Sequence, residues 1–281
     1  MRELLTMWRD TRMIMLTAVV AAVYAAVLIP FNAIVIIPGL TSVRPANVFP
    51  VIFGIMFGPA AAWGSAIGNL ISDIFSGQFG AGSLGGFVGN FAFGFVSYRL
   101  WGNLGALSSG EEPDFRGNSG RQLVEYVIIA VVGSTACAAI IAWWLDILGL
   151  FPFSVFATIV TINNTLASAV LGPPLLYLVY PRIKEMGLLY PDVLRSEDYD
   201  TSAGARSTLG GYGVAATAIL WVVIGVAIGV GVEGFGFFVS MGSVFNQGGS
   251  TIQMALGAVG FLSLFAFSFL ARERFSQIRR N

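Results

Sequence analysis

The sequence predicts an all-α membrane protein, a polytopic helix bundle, and three observations carry that reading. Of its 281 residues, 56% are hydrophobic and only 11% charged, where soluble domains carry about 25% charged residues. A soluble core cannot hide that surplus, because the surface needs polar cover. Long stretches, Met13 to Ile37 and Ser207 to Val232, hold no charge at all. Most apolar runs also approach the roughly 17–25 residues that a helix needs to cross the hydrocarbon layer.

Taken in order, Met13–Pro30 is the first crossing. No small-residue cleavage site follows it, so it reads as a membrane helix and not a removed leader. Phe31–Thr41 continues as an apolar segment broken by Pro30, Pro38 and Gly39. Val48–Phe57 and Ala60–Phe75 are separated only by Gly58-Pro59, and Gly82–Trp101 ends in the interfacial pattern Tyr98, Arg99, Trp101. A polar loop, Gly102–Gln122, leads to the spans Leu123–Leu145 and Phe153–Tyr180. The hydrophilic stretch Pro181–Leu209 connects to the last two spans, Tyr212–Val232 and Ile252–Ala271, and a basic tail. The ten residues of Val48–Phe57 give about 15 Å of helix, well short of the bilayer. Its ends must be shielded by neighbours or line a cavity.

Eight crossings with both termini cytoplasmic place 14 of the 15 Lys and Arg residues inside, leaving only Arg44 outside. A seven-span chain places fewer there, so the positive-inside rule favours eight. The organisation expected is a six-helix membrane core over residues 1–180, a cytoplasmic connector over 181–211, and a two-helix extension with its tail over 212–281.

Polar residues inside a membrane are expensive and mark function. On this topology Arg44, Asn47, Asn69, Asp73, Asn90, Asn163 and Asn164 gather in the outer half of the bundle. A hydrated cavity open to the outside accounts for them better than seven separate interhelical hydrogen bonds. An Arg44–Asp73 ion pair holding the loop closed is the structural alternative. Glu125, at an inner helix end, is read as interfacial. On the first helix, Ala18, Ala22 and Ala26 recur at intervals of four, widened by Ala21 and Ala25, a spacing that lets another helix approach closely. The second helix is either the chain's own or that of a separate subunit. Gly54/Gly58, Gly64/Gly68 and Gly85/Gly89 read as packing pairs, as does Gly225 with Gly229, set to meet Gly257 and Gly260.

Much chemistry is excluded. The chain has no His and one cysteine, Cys137, which removes Ser-His and Cys-His nucleophilic pairs and imidazole relays; Cys137 reads as a small core residue. No enzyme activity, metal or cofactor is expected. Zero net charge leaves no basic footprint for nucleic acid. No glycine-rich phosphate loop with Lys and Ser/Thr appears, no chain of intramembrane acids suggests a proton relay, and no inverted repeat stands out. An outward cavity without an engine implies a receptor-like subunit driven by a partner. A stand-alone secondary transporter and a non-transporting assembly subunit remain the alternatives.

The stretches TAVVAAVYAAVLIPF, VRPANVFPVIFGIMFGPAAAWGSAIGNLISDIF and GFVGNFAFGFVSYRLW resemble the substrate-binding S components of energy-coupling factor (ECF) vitamin and micronutrient transporters. The resemblance spans Thr17 to about Tyr180. It implies a six-helix subunit of the cell membrane that takes a small vitamin-like molecule from outside. Such a subunit associates with a transmembrane coupling subunit and two cytoplasmic ATPase subunits. It further implies that Ala18, Ala22 and Ala26 dock the coupling subunit and that the loop Pro38–Asn47 covers the site. Arg44, Asn47, Asn69, Asp73, Asn90, Asn163 and Asn164 would contact a ligand held against Trp, Phe and Tyr surfaces. Tyr212–Ala271, with a loop Glu233–Thr251 carrying Phe235, Phe237, Phe238, Asn246 and Gln247, departs from the six-helix pattern and leaves open how delivery by toppling would proceed.

Overall fold

The computed structural model describes residues 1–32, 35–37, 41–42, 44–195, 198, 204–232 and 248–280. Phe235, Phe237, Phe238, Asn246 and Gln247, and Pro38, Gly39, Leu40 and Val43 of the loop expected to cover the site, lie outside these residues. The chain forms α1 (Glu3–Thr6), α2 (Thr11–Asn32), a hairpin β1 (Val35–Ile37) and β2 (Thr41–Ser42), then α3 (Val48–Phe57), α4 (Pro59–Phe75) and α5 (Gly82–Leu100). There follow α6 (Ser119–Ile147), α7 (Phe153–Glu185), the short α8 (Tyr190–Val193), α9 (Ala205–Val232), α10 (Thr251–Leu270) and α11 (Phe275–Arg280). Of these, α2, α6, α7, α9 and α10 are long and apolar enough to cross a membrane. Among the described residues the bundle is helical apart from the antiparallel hairpin, whose first strand falls in the Pro- and Gly-broken apolar segment. Helix α7 runs five residues past Tyr180 and α9 starts seven before Tyr212, so the polar connector is shorter than its composition suggested.

Small residues set the helix spacing, since close backbone approach is what van der Waals packing in lipid rewards. Helix α2 lies against α4 through Gly64, where a Cβ would meet Val20 at 2.6 Å, and Gly68, where one would meet the Ala21 carbonyl oxygen at 2.8 Å. Gly89 does the same for α5 against α6, accommodating Ile141. The alanine stripe of α2 therefore divides into two faces. Ala21 and Ala25 are buried against the bundle, while Ala18, Ala22 and Ala26 are exposed. Gly58 turns α3 into α4 at φ +54°, and a Cβ there would strike the Tyr190 ring at 2.8 Å. Short α3 is enclosed by α5 and α7, with every residue but Phe49 buried; its ends therefore avoid lipid, as its length requires.

Two expectations change. Gly225, Gly257 and Gly260 do not meet one another; they receive the rings of Phe153, Trp143 and Trp221 respectively. Aromatic rings fill the space between these helices, so the glycines act as sockets. Glu125 is fully buried. It accepts the backbone N–H groups of Gly102 and Ser109, each at 2.7 Å, and the Ser109 hydroxyl at 2.8 Å, which satisfies an otherwise costly buried carboxylate and ties down the loop after α5.

One end of the bundle gathers both ends of the chain. Buried Glu3 pairs with Arg99, whose guanidinium also donates to the Ala271 carbonyl at 3.1 Å. The Asn103 amide donates to the Arg99 carbonyl at 2.7 Å, and Ser207 donates to Asn103 at 2.7 Å. Tyr190 donates to Glu273. Burial pushes the Glu3 carboxyl up, but the Arg99 guanidinium and the amino terminus outweigh it and hold the group below its ordinary value.

Candidate functional site

At the other end, beside the α4–α5 and α6–α7 turns, lies a cavity of about 350 Å³. Each wall comes from a different stretch of chain. The turn before α3 supplies Arg44 and Asn47, α4 supplies Asn69 and Asp73, α5 supplies Gly86 and Asn90, and α7 supplies Asn163 and Asn164. All seven polar residues singled out in the sequence thus line one cavity. The opposite wall is apolar: Ile141 and Leu145 of α6, Leu150 and Phe151 of the following turn, and Phe156 and Val160 of α7. Among the described residues, the aromatic lining is Phe151 and Phe156; the Trp and Tyr surfaces expected there pack elsewhere.

The floor is a hydrogen-bonded network spanning three helices. Tyr24 of α2 points its hydroxyl at Asn90 Oδ1, 2.8 Å away, and at Asn47 Oδ1, 2.9 Å away. Asn47 donates its amide to Asn164 Oδ1, and its backbone carbonyl accepts the Ser168 hydroxyl at 2.9 Å. Asn90 donates back to the Gly86 carbonyl at 2.8 Å. All four side chains, Tyr24, Asn47, Asn90 and Asn164, are at least 95% buried, so each bond stands in a low-dielectric setting where an unmade one is costly.

Nearer the mouth, Asn69 donates to Asp73 Oδ2 at 3.4 Å. Gly86 faces these two: a Cβ there would lie 2.8 Å from Asn69 Nδ2 and 3.7 Å from Asp73 Oδ2. Only glycine leaves them room. Arg44 and Asp73 both line the cavity, but no ion pair within 4 Å joins them among the described residues. The closing ion pair is not formed, and both residues line the hollow. Cys137 is buried and borders the cavity. No group of His, Cys, Asp and Glu side chains able to hold a metal occurs among the described residues.

Sequence reasoning missed Gln78 and Ser83, which also line the cavity, and it missed Tyr24. Tyr24 sits within an alanine-rich apolar run, where a tyrosine reads as one more membrane-facing ring. Its position at a one-turn offset from buried Ala21 and Leu28 was the available signal, since that spacing puts all three on one helical face.

The arrangement can bind a small polar molecule: amide donors and acceptors at the floor, opposite charges toward the mouth, and an apolar wall with two phenyl rings. No match to the chain is found among curated proteins or among solved structures. Residues 14–181, which cover every residue of this cavity, match the QueT transporter family, and over more than half its length the chain belongs to that family of membrane transporters.

Proposed function

We propose that this chain is the substrate-binding S component of an ATP-driven ECF-type importer and that its cargo is a queuosine precursor, a base of the 7-deazaguanine type. The observation that carries the proposal is the convergence of seven polar side chains from four segments on one cavity. Cavity size supports a single heterocycle. At about 350 Å³ it falls at the small end of ligand pockets, which run from roughly 300 to 1,000 Å³, and a cobalamin-sized molecule is too large for it. Asn47, Asn90 and Asn164 read the donor and acceptor edge of the base, and Phe151 and Phe156 cover its face. Arg44, Asn69, Asp73 and Asn163 hold the polar substituents toward the mouth.

The distribution of basic residues supports an orientation with the end holding both termini in the cytoplasm and the cavity outside. The engine is external: a transmembrane coupling subunit and two ATPase subunits. Exposed Ala18, Ala22 and Ala26 on α2 form the face for the coupling subunit, because none of the described residues covers them. The core over 1–180 does the binding, with the connector over 181–211 and the helix pair over 212–281 attached to it.

Native mass spectrometry of the purified chain tests this reading. A retained mass matching a 7-deazaguanine is expected. Ion-driven uptake of that base by the isolated chain in liposomes, with no ATPase present, would instead make it a stand-alone secondary transporter.

A further inference from the structure

The C-terminal helix pair lies beyond the residues shared with the family, and one carboxylate ties its outer end to the cavity wall. Asp146, in the last turn of α6, is fully buried. It accepts the backbone N–H of Phe153 at 3.0 Å and that of Gly249 at 3.2 Å, with the Ser250 N–H on the same carboxylate. Phe153 opens α7, whereas Gly249 and Ser250 immediately precede α10. An ionised carboxylate has room for about four acceptor bonds, so a single side chain terminates two helices that belong to different parts of the molecule.

Between these attachments runs the α6–α7 turn, whose Leu150 and Phe151 line the cavity. Gly248 presses on this turn backbone to backbone. A Cβ there would lie 2.9 Å from the Asp146 carbonyl oxygen and 3.2 Å from that of Phe151. Deeper in, the Trp143 indole donates to the Met254 carbonyl at 3.2 Å, and Gln253 donates to the Gly225 carbonyl at 2.6 Å.

We infer that the C-terminal helix pair is a buttress for the apolar wall of the cavity, with Asp146 as the residue that positions Leu150 and Phe151 against the ligand. The reading of Leu150 and Phe151 as ligand-facing rests on the proposed function; the mechanical link does not.

Amide hydrogen exchange on the full-length chain, with affinity for a 7-deazaguanine as a second readout, tests the inference. An Asn at 146 offers one carbonyl oxygen where the carboxylate offers two, so Asp146→Asn should speed exchange about tenfold in both 149–156 and 249–256, the loss of a charge-assisted cap. Gly248→Val changes no residue of the turn or the cavity wall, although its side chain would press on the turn from the extension's side. It should nevertheless speed exchange in 149–156 and weaken binding by about tenfold, while leaving exchange in α2 and α4 unchanged. Exchange confined to 249–256 in Gly248→Val, with wild-type affinity, would overturn the buttress. Failure of the unmodified chain to bind the base would sink the proposed function instead, and the exchange result would still decide the link between the two segments.

Discussion

The Tyr24 hydroxyl, on the buried face of α2, stands 2.8 Å from Asn90 Oδ1 and 2.9 Å from Asn47 Oδ1. A phenol carries one proton, so two carboxamide oxygens share a single donor. Both amides keep their oxygens turned to Tyr24 because their nitrogens are engaged elsewhere, with Asn164 and with the Gly86 carbonyl. Tyr24 thereby orients the two amides that form the cavity floor. Tyr24→Phe leaves both oxygens buried without a donor, at a cost of about 1–3 kcal/mol. The expected outcome is a lower melting temperature and at least tenfold weaker binding of a 7-deazaguanine by calorimetry. Unchanged affinity would show that the amides hold their orientation without it.

Ala22 faces outward from the same helix. Ala22→Leu therefore meets no neighbour among the described residues and should leave melting temperature and ligand affinity unchanged. If this face receives the coupling subunit, the larger side chain should abolish copurification with that subunit and ATP-driven uptake. Copurification at the wild-type level would remove the docking assignment.

Orientation is open to a labelling experiment, since Gly80 and Asn118 are both exposed and belong to opposite ends of the bundle. In intact cells, Gly80→Cys should react with an impermeant maleimide and Asn118→Cys should not. The reverse pattern would invert the topology.

The Glu3–Arg99 pair gives a pH dependence with a defined sign. Glu3 is held below its ordinary value of 4.5, so its contribution to stability is fully present above that value. It disappears as pH falls through the lower folded value. Glu3→Gln strands a buried guanidinium, which typically costs about 3–5 kcal/mol. Thermal melts in detergent should show a lower midpoint for Glu3→Gln at neutral pH, with the gap to the unmodified chain narrowing as pH drops below 4.5. A constant gap across that range would mean that Glu3 acts through packing alone.

Hydropathy made the five helices of membrane-spanning length legible, because in lipid the requirement to satisfy every backbone group leaves helices as the simplest solution. Depth and polarity also made the cavity legible: the seven residues chosen on those grounds do line one hollow. Residues whose role depends on facing were not legible in the same way. Tyr24 resembles its apolar surroundings, and only the fold shows that its hydroxyl reaches Asn47 and Asn90. Asp146 and Glu125 each lie near a helix end, where a carboxylate is ordinarily solvated, yet both are buried and cap backbone N–H groups contributed by distant segments. Composition cannot distinguish these cases, since it says nothing of which loop returns to cover a helix end. The split of the alanine stripe likewise depends on where Gly64 and Gly68 sit on α4, a tertiary fact.

The most direct test of the account is equilibrium binding of a 7-deazaguanine to the purified chain and to its Asn90→Ala and Asn164→Ala variants. The account expects saturable one-to-one binding by the unmodified chain, weakened by about 1–3 kcal/mol in each variant as a buried ligand group loses its partner. Wild-type affinity in both variants would contradict it.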